Sequence, residues 1–177
     1  KLNLWKRVIM LIDYLKYIGI AIILFLIQKT FIPLISIQMI TPDLPILLVI
    51  YIGVRRGQIT GLIFGFLFGL LIDIFSSTFL GLSALSYLIA GFIAGYFYDE
   101  NRPKEILQSY FYIFVMFLVI IISNLIYYTI FIQGNNDLPY GYLLLKFVLG
   151  SSLYTLIFGV IFMFTLSKRI VKSVNEV

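Results

Sequence analysis

Long apolar runs alternate along this chain with short polar breaks, and the runs recur about every 20 to 35 residues. Six are distinguished, at about residues 9–31, 42–54, 58–74, 80–98, 106–131 and 141–166. Most approach the roughly 20 residues that a helix rising about 1.5 Å per residue needs to cross about 30 Å of hydrocarbon. The period-two alternation of barrel strands is absent, so helices are the natural way to satisfy each backbone group in lipid. The pattern predicts an all-α polytopic membrane protein, a single transmembrane domain over residues 1–177 with six transmembrane helices. The second run, about 13 residues long, must borrow length from "FIPLISIQMI" (31–40) or sit where protein or a thinned bilayer shields its ends. Residues 31–40 read as a partly inserted outer segment.

Composition agrees with that class. Of 177 residues, 62% are hydrophobic and 12% charged, far from the balance of a water-soluble domain. Lys1, Lys6 and Arg7 precede the first run, Arg55 and Arg56 separate the second from the third, Arg102 and Lys104 the fourth from the fifth, and Lys168, Arg169 and Lys172 follow the sixth. The connections near 32–41, 75–79 and 132–140 carry no Lys or Arg. By the positive-inside rule both termini are cytoplasmic. The net charge of +5 is then a topology signal, and nucleic-acid binding is not needed to explain it. Trp5, Tyr96, Tyr98, Tyr110 and Tyr112 fall at predicted inner ends, and Tyr127, Tyr128, Tyr140 and Tyr142 at outer ones, as interfacial belts would. No small-x-small site follows "AIILFLIQKTF", so a cleaved signal peptide is not expected.

Chemistry is constrained by what is missing. With no His and no Cys, the commonest general base, thiol chemistry and thiolate metal sites are gone. No G-x-S-x-G or phosphate loop occurs. A carboxylate pair sharing a proton would need both groups at one depth, whereas Asp73 ends an outward run and Asp99 an inward one. A catalytic site, a metal and a cofactor are therefore not expected.

Small residues carry the most specific signal. "GLIFGFLFGLLID" places Gly61, Gly65 and Gly69 four apart, with Asp73 four further on. Lipid supplies no hydrophobic drive between helices, so association depends on close backbone approach, and small residues four apart open a groove for it. The fourth run repeats the device, with Ser86, Ala90 and Ala94 on one stripe and Gly91 and Gly95 on another. These positions read as helix packing within the bundle or as the dock of an external transmembrane helix. In "TPDLP" (41–45), Thr41 reads as an N-cap, Pro42 as first turn and Asp43 as an anion near the positive helix end. Asp73, at a helix C-terminus where the dipole disfavours an anion, calls for a partner or a function. Lys29 and Lys146 fall on the same outer side, so an ion pair with either is one reading; a carboxylate facing water or lipid headgroups, or an ion or substrate ligand, are others. Asn124, Gly150, Ser151 and Ser152 read as interhelical contacts.

The order of features in residues 42–95 resembles the MreD family of bacterial rod-shape-determining membrane proteins. It is carried by Pro42-Asp43-Leu44, the Arg55-Arg56-Gly57 turn, the glycines ending in Asp73, and "GLSALSY" from Gly81 to Tyr87. The resemblance implies a non-enzymatic scaffold of the bacterial cytoplasmic membrane, acting in cell shape and peptidoglycan synthesis. It implies direct binding of MreC within an elongation complex (elongasome) that holds MreB, RodA and a penicillin-binding transpeptidase. It further implies a fold similar to the S subunits of energy-coupling-factor transporters, and with it a rival function: a small-molecule- or lipid-binding transport subunit, with Asp43, Asp73 and residues 31–40 at the pocket mouth. The first run lacks the small residues four apart with which those subunits dock their coupling partner, which favours the scaffold.

Overall fold

The computed structural model describes residues 2–38, 40–76, 79–100, 106–107, 109–133 and 140–174. Lys1, Arg102 and Lys104 lie outside the described residues, as do the side chains of Trp5, Lys6, Arg7, Tyr140, Lys168, Arg169 and Lys172. Among the described residues, these long α-helices follow one another: α1 (Leu2–Thr30), α2 (Leu44–Arg56), α3 (Gln58–Phe75), α4 (Leu82–Tyr96), α5 (Tyr110–Gln133) and α6 (Tyr140–Val174). A short 3₁₀ helix, Ile32–Ile35, follows α1. Beyond it, Ile37 and Ile40 exchange two backbone hydrogen bonds in a tight reversal. Among the described residues, three helical stretches are long and apolar enough to cross a membrane: Gln58–Phe75, Tyr110–Ile132 and Gly141–Ile161. Leu82–Tyr96 is a shorter apolar helix.

The short second run is the hub. Nine of the 13 residues of α2 are buried, Ile46, Val49, Ile50, Ile52 and Val54 completely. Packing against α1, α3, α4, α5 and α6 surrounds it. A helix of this length rises only about 20 Å, so protein rather than lipid covers it. Its first turn is supported from outside: Gln28 of α1 accepts from the Leu44 N–H at 3.1 Å and donates to the Pro42 carbonyl at 2.9 Å. Asp43, not Thr41, occupies the N-cap position, with Pro in the first turn.

One residue, Gly57, turns α2 into α3 with φ +90° and ψ 176°. That region of backbone space is nearly reserved for glycine. Arg55 and Arg56 precede it at the C-terminal end of α2, where the helix dipole favours cations. The Arg55 guanidinium donates to the Tyr51 hydroxyl, and that of Arg56 lies 5.9 and 6.0 Å from the rings of Tyr14 and Tyr17 on α1. Tyr17 is buried and edge-on to Phe64 of α3, which stacks on Tyr14, so aromatic contacts hold the middle of α1 to the bundle.

Candidate functional site

Two features stand out: the seam between α3 and α4, and a cavity at one end of the bundle whose charged members are Lys29 and Asp43.

At the seam, steps of four on one helix meet steps of four on the other, running antiparallel. A Cβ added at Gly69 would lie 2.4 Å from the Ser83 carbonyl oxygen, at Gly65 2.2 Å from that of Tyr87, and at Gly61 2.4 Å from that of Gly91. At Gly95 it would meet the Gln58 backbone at 2.4 Å. Real Cβ atoms do not approach backbone so closely, so hydrogen at these positions is what lets the two backbones touch. Dispersion and Cα–H···O contacts then take the place of side-chain interdigitation. The second stripe of α4 faces elsewhere. A Cβ at Gly53 of α2 would lie 2.9 Å from that of Ala94, Ala90 is fully buried, and the Ser86 carbonyl accepts from Ser123 of α5 at 3.3 Å. Gly53 of α2, packed against the backbone of α4, is a close-approach residue that the sequence reading passed over. The ladder had announced it: Gly53, Gly57, Gly61, Gly65 and Gly69 are all four apart. These glycines are filled by the chain's own helices, the first of the two readings the sequence offered for them.

Asp73 is buried at the start of α4. One carboxylate oxygen accepts from the backbone N–H groups of Gly81 at 2.9 Å and Ala84 at 3.0 Å, the other from that of Ser83 at 3.0 Å. The first N–H groups of a helix have no partners within it, and here a carboxylate from the preceding helix supplies one. The dipole of α3 disfavours an anion at this place, but the amino end of α4 favours it. The ion pair expected with Lys29 or Lys146 is replaced by this cap. Lys29 donates to Ser76 Oγ at 2.7 Å, and Lys146 Nζ lies 6.0 Å from the Phe147 ring centroid.

The cavity, about 280 Å³ in volume, is enclosed by α1, the 3₁₀ turn, the approach to α2, and α3 to α6. Polar and apolar surface share its wall: Ser83, Ser86, Ser123, Asn124, Tyr87 and Tyr128 line it beside Ile32, Pro33 and Ile72, with Lys29 and Asp43 as its charged members. Asp43 accepts a hydrogen bond from the Tyr87 hydroxyl, while its N–H donates to Thr155 Oγ1 at 2.9 Å. That carboxylate thus ties α2 to α4, and its backbone ties α2 to α6. Asn124 donates to Ser152 Oγ at 3.0 Å and Ser151 to the Thr41 carbonyl at 3.3 Å, joining α5, α6 and the approach to α2. The Tyr154 hydroxyl donates to the Ile35 carbonyl at 2.8 Å, pinning the 3₁₀ turn beside the mouth. Tyr127 and Tyr128 face this interior, and Tyr112 is buried, so these three do not join the belts where the sequence put them. Tyr96, Tyr98, Tyr110 and Tyr142 are exposed.

Fold and site together define a helical membrane protein with helices locked by backbone contact beside a partly polar cavity. Residues 9–165, most of the chain, match the family model for "rod shape-determining protein MreD", and the chain belongs to that family. No curated protein and no solved structure matches it. The family is one of structural membrane proteins, not a known enzyme family.

Proposed function

We propose that this chain is a non-enzymatic scaffold of the bacterial cell-wall elongation complex. In this reading it crosses the cytoplasmic membrane six times, with both termini inside, and binds MreC directly. MreB, RodA and a penicillin-binding transpeptidase belong to the same complex. The observation that carries the reading is the extent of the family match, which enters all six α-helices. The seam supports it physically: backbone contacts between α3 and α4 make a stiff core, which is what a scaffold needs. Since the seam is occupied from within, MreC meets the protein on another surface.

The test is a mild-detergent pull-down of the tagged full chain followed by mass spectrometry. Recovery of MreC with other wall-elongation proteins is the expected outcome. The polar cavity favours a second reading, a small-molecule- or lipid-binding subunit of a transporter. Recovery of an energy-coupling ATPase set without MreC would establish that one instead.

A further inference from the structure

A second, smaller cavity lies against the first. It measures about 100 Å³, sits between α1, α2 and α3, and is lined only by apolar side chains. Ile72 of α3 borders both cavities, so the two are neighbours on either side of it. The same order of polarity runs along all three elements. On α1, Gln28 and Lys29 border the polar cavity, while Phe25, Ile22 and Ile18 border the apolar one. On α3, Ser76 gives way to Leu71 and Phe68. At the start of α2, Asp43 gives way to Pro45 and Leu48. From Gln28 to Ile18 is ten residues of helix, roughly 15 Å of rise, which is half of about 30 Å of hydrocarbon. From one cavity to its neighbour the lining thus changes from polar to apolar over the depth of one leaflet.

From this geometry we propose a site for a membrane amphiphile with a phosphate head, one hydrocarbon chain of which lies in the crevice below Ile72. Lys29 selects the phosphate. Its ammonium has three donors, and the contact to Ser76 engages one. Burial of an anion needs such a partner together with hydrogen-bond donors; the Lys29 ammonium has two donors beyond the one given to Ser76, and the Ser83 hydroxyl lines the same wall. Asp43, the carboxylate of the wall, suits a head whose second group donates, an amine or a hydroxyl. The crevice has no polar side chain to satisfy a head, so the head must lie in the larger cavity. The site rests on these two cavities and not on either reading of the complex, so its failure would leave the MreC pull-down unaffected.

The test uses the purified full chain in a non-ionic detergent, with melting temperature followed during titration by three probes. Lysophosphatidylethanolamine has both head and chain, phosphoethanolamine is the head alone, and monoacylglycerol has the chain without phosphate. The expected result is saturable stabilisation by the first and little by the other two. Lys29 is exposed, so Lys29→Gln folds normally; it is expected to weaken lysophosphatidylethanolamine binding about tenfold or more, the usual effect of losing a charged hydrogen bond. Ile72→Trp, which adds bulk between the two cavities, is expected to abolish the saturable shift, whereas Ile63→Trp, on the exposed side of α3, leaves it. Equal stabilisation by phosphoethanolamine would assign the cavity to a free phosphate compound and overturn the proposal. So would equal stabilisation by monoacylglycerol, no shift with any probe, or binding unchanged in Lys29→Gln.

Discussion

At Gly65 a single hydrogen atom decides whether two helices touch. The Cβ of alanine there would lie 2.2 Å from the Tyr87 carbonyl oxygen, a backbone atom that cannot step aside without moving α4. Gly65→Ala is expected to destabilise by about 1–3 kcal/mol, as overpacking does, read as a lower melting temperature in detergent. Gly19→Ala is the control: nothing lies within 4 Å of that position, so alanine should be neutral or raise stability by up to about 1 kcal/mol through helix propensity. Equal effects at the two glycines would contradict the seam. Asp73 is the other decisive residue. In Asp73→Asn one oxygen still accepts, but the amide NH₂ would face a backbone N–H, donor against donor. A loss of about 1–3 kcal/mol is expected, again in melting temperature, whereas Lys29→Gln should leave stability close to wild type, because the carboxylate does not depend on that lysine.

Between elements, connections matter more than propensities. Gly57 joins α2 to α3 in a conformation that a side chain cannot adopt without strain, and the turn aims the seam face of α3 at α4. Gly57→Ala is expected to cost about 1–3 kcal/mol and to shift the α2–α3 corner, measurable as a lower melting temperature and as changed crosslinking between cysteines placed on α1 and α3. Positions of the helices were legible from hydrophobic run length, because lipid compatibility demands long apolar stretches. Which stripe faces which neighbour was not. Gly91 and Gly95 face α3 and Ala94 faces α2, but a stripe of small residues carries no address. Nor did period or spacing reveal that α2 would be central: a short apolar helix looks the same whether lipid or protein surrounds it.

Over the whole molecule, charge sets direction. The absence of native Cys allows a clean test of the six-span topology. Cysteines placed at the exposed positions Phe79 and Glu100 lie on connections that the positive-inside rule assigns to opposite faces. A membrane-impermeant maleimide applied to intact spheroplasts is expected to label Phe79→Cys, and Glu100→Cys only after permeabilisation. Labelling of both from one side would remove the proposed topology. The cavity also belongs to this scale, because six of the helical elements and the approach to α2 each give part of its wall, and no local stretch contains it.

Read alone, the sequence determined the class of the protein, the places of its helices, the step-of-four glycine device and the family that its 42–95 stretch resembles. Each is a matter of local composition or spacing, and a helix in lipid enforces those at short range. Only the tertiary structure decided that α4 fills the glycine groove, that backbone amides rather than lysine hold Asp73, and that Asp43 meets Tyr87 across 44 positions of chain. Those outcomes depend on which faces meet once six helices compete for the same partners, and backbone N–H groups, which leave no mark in a pattern of side chains, were among the partners that won.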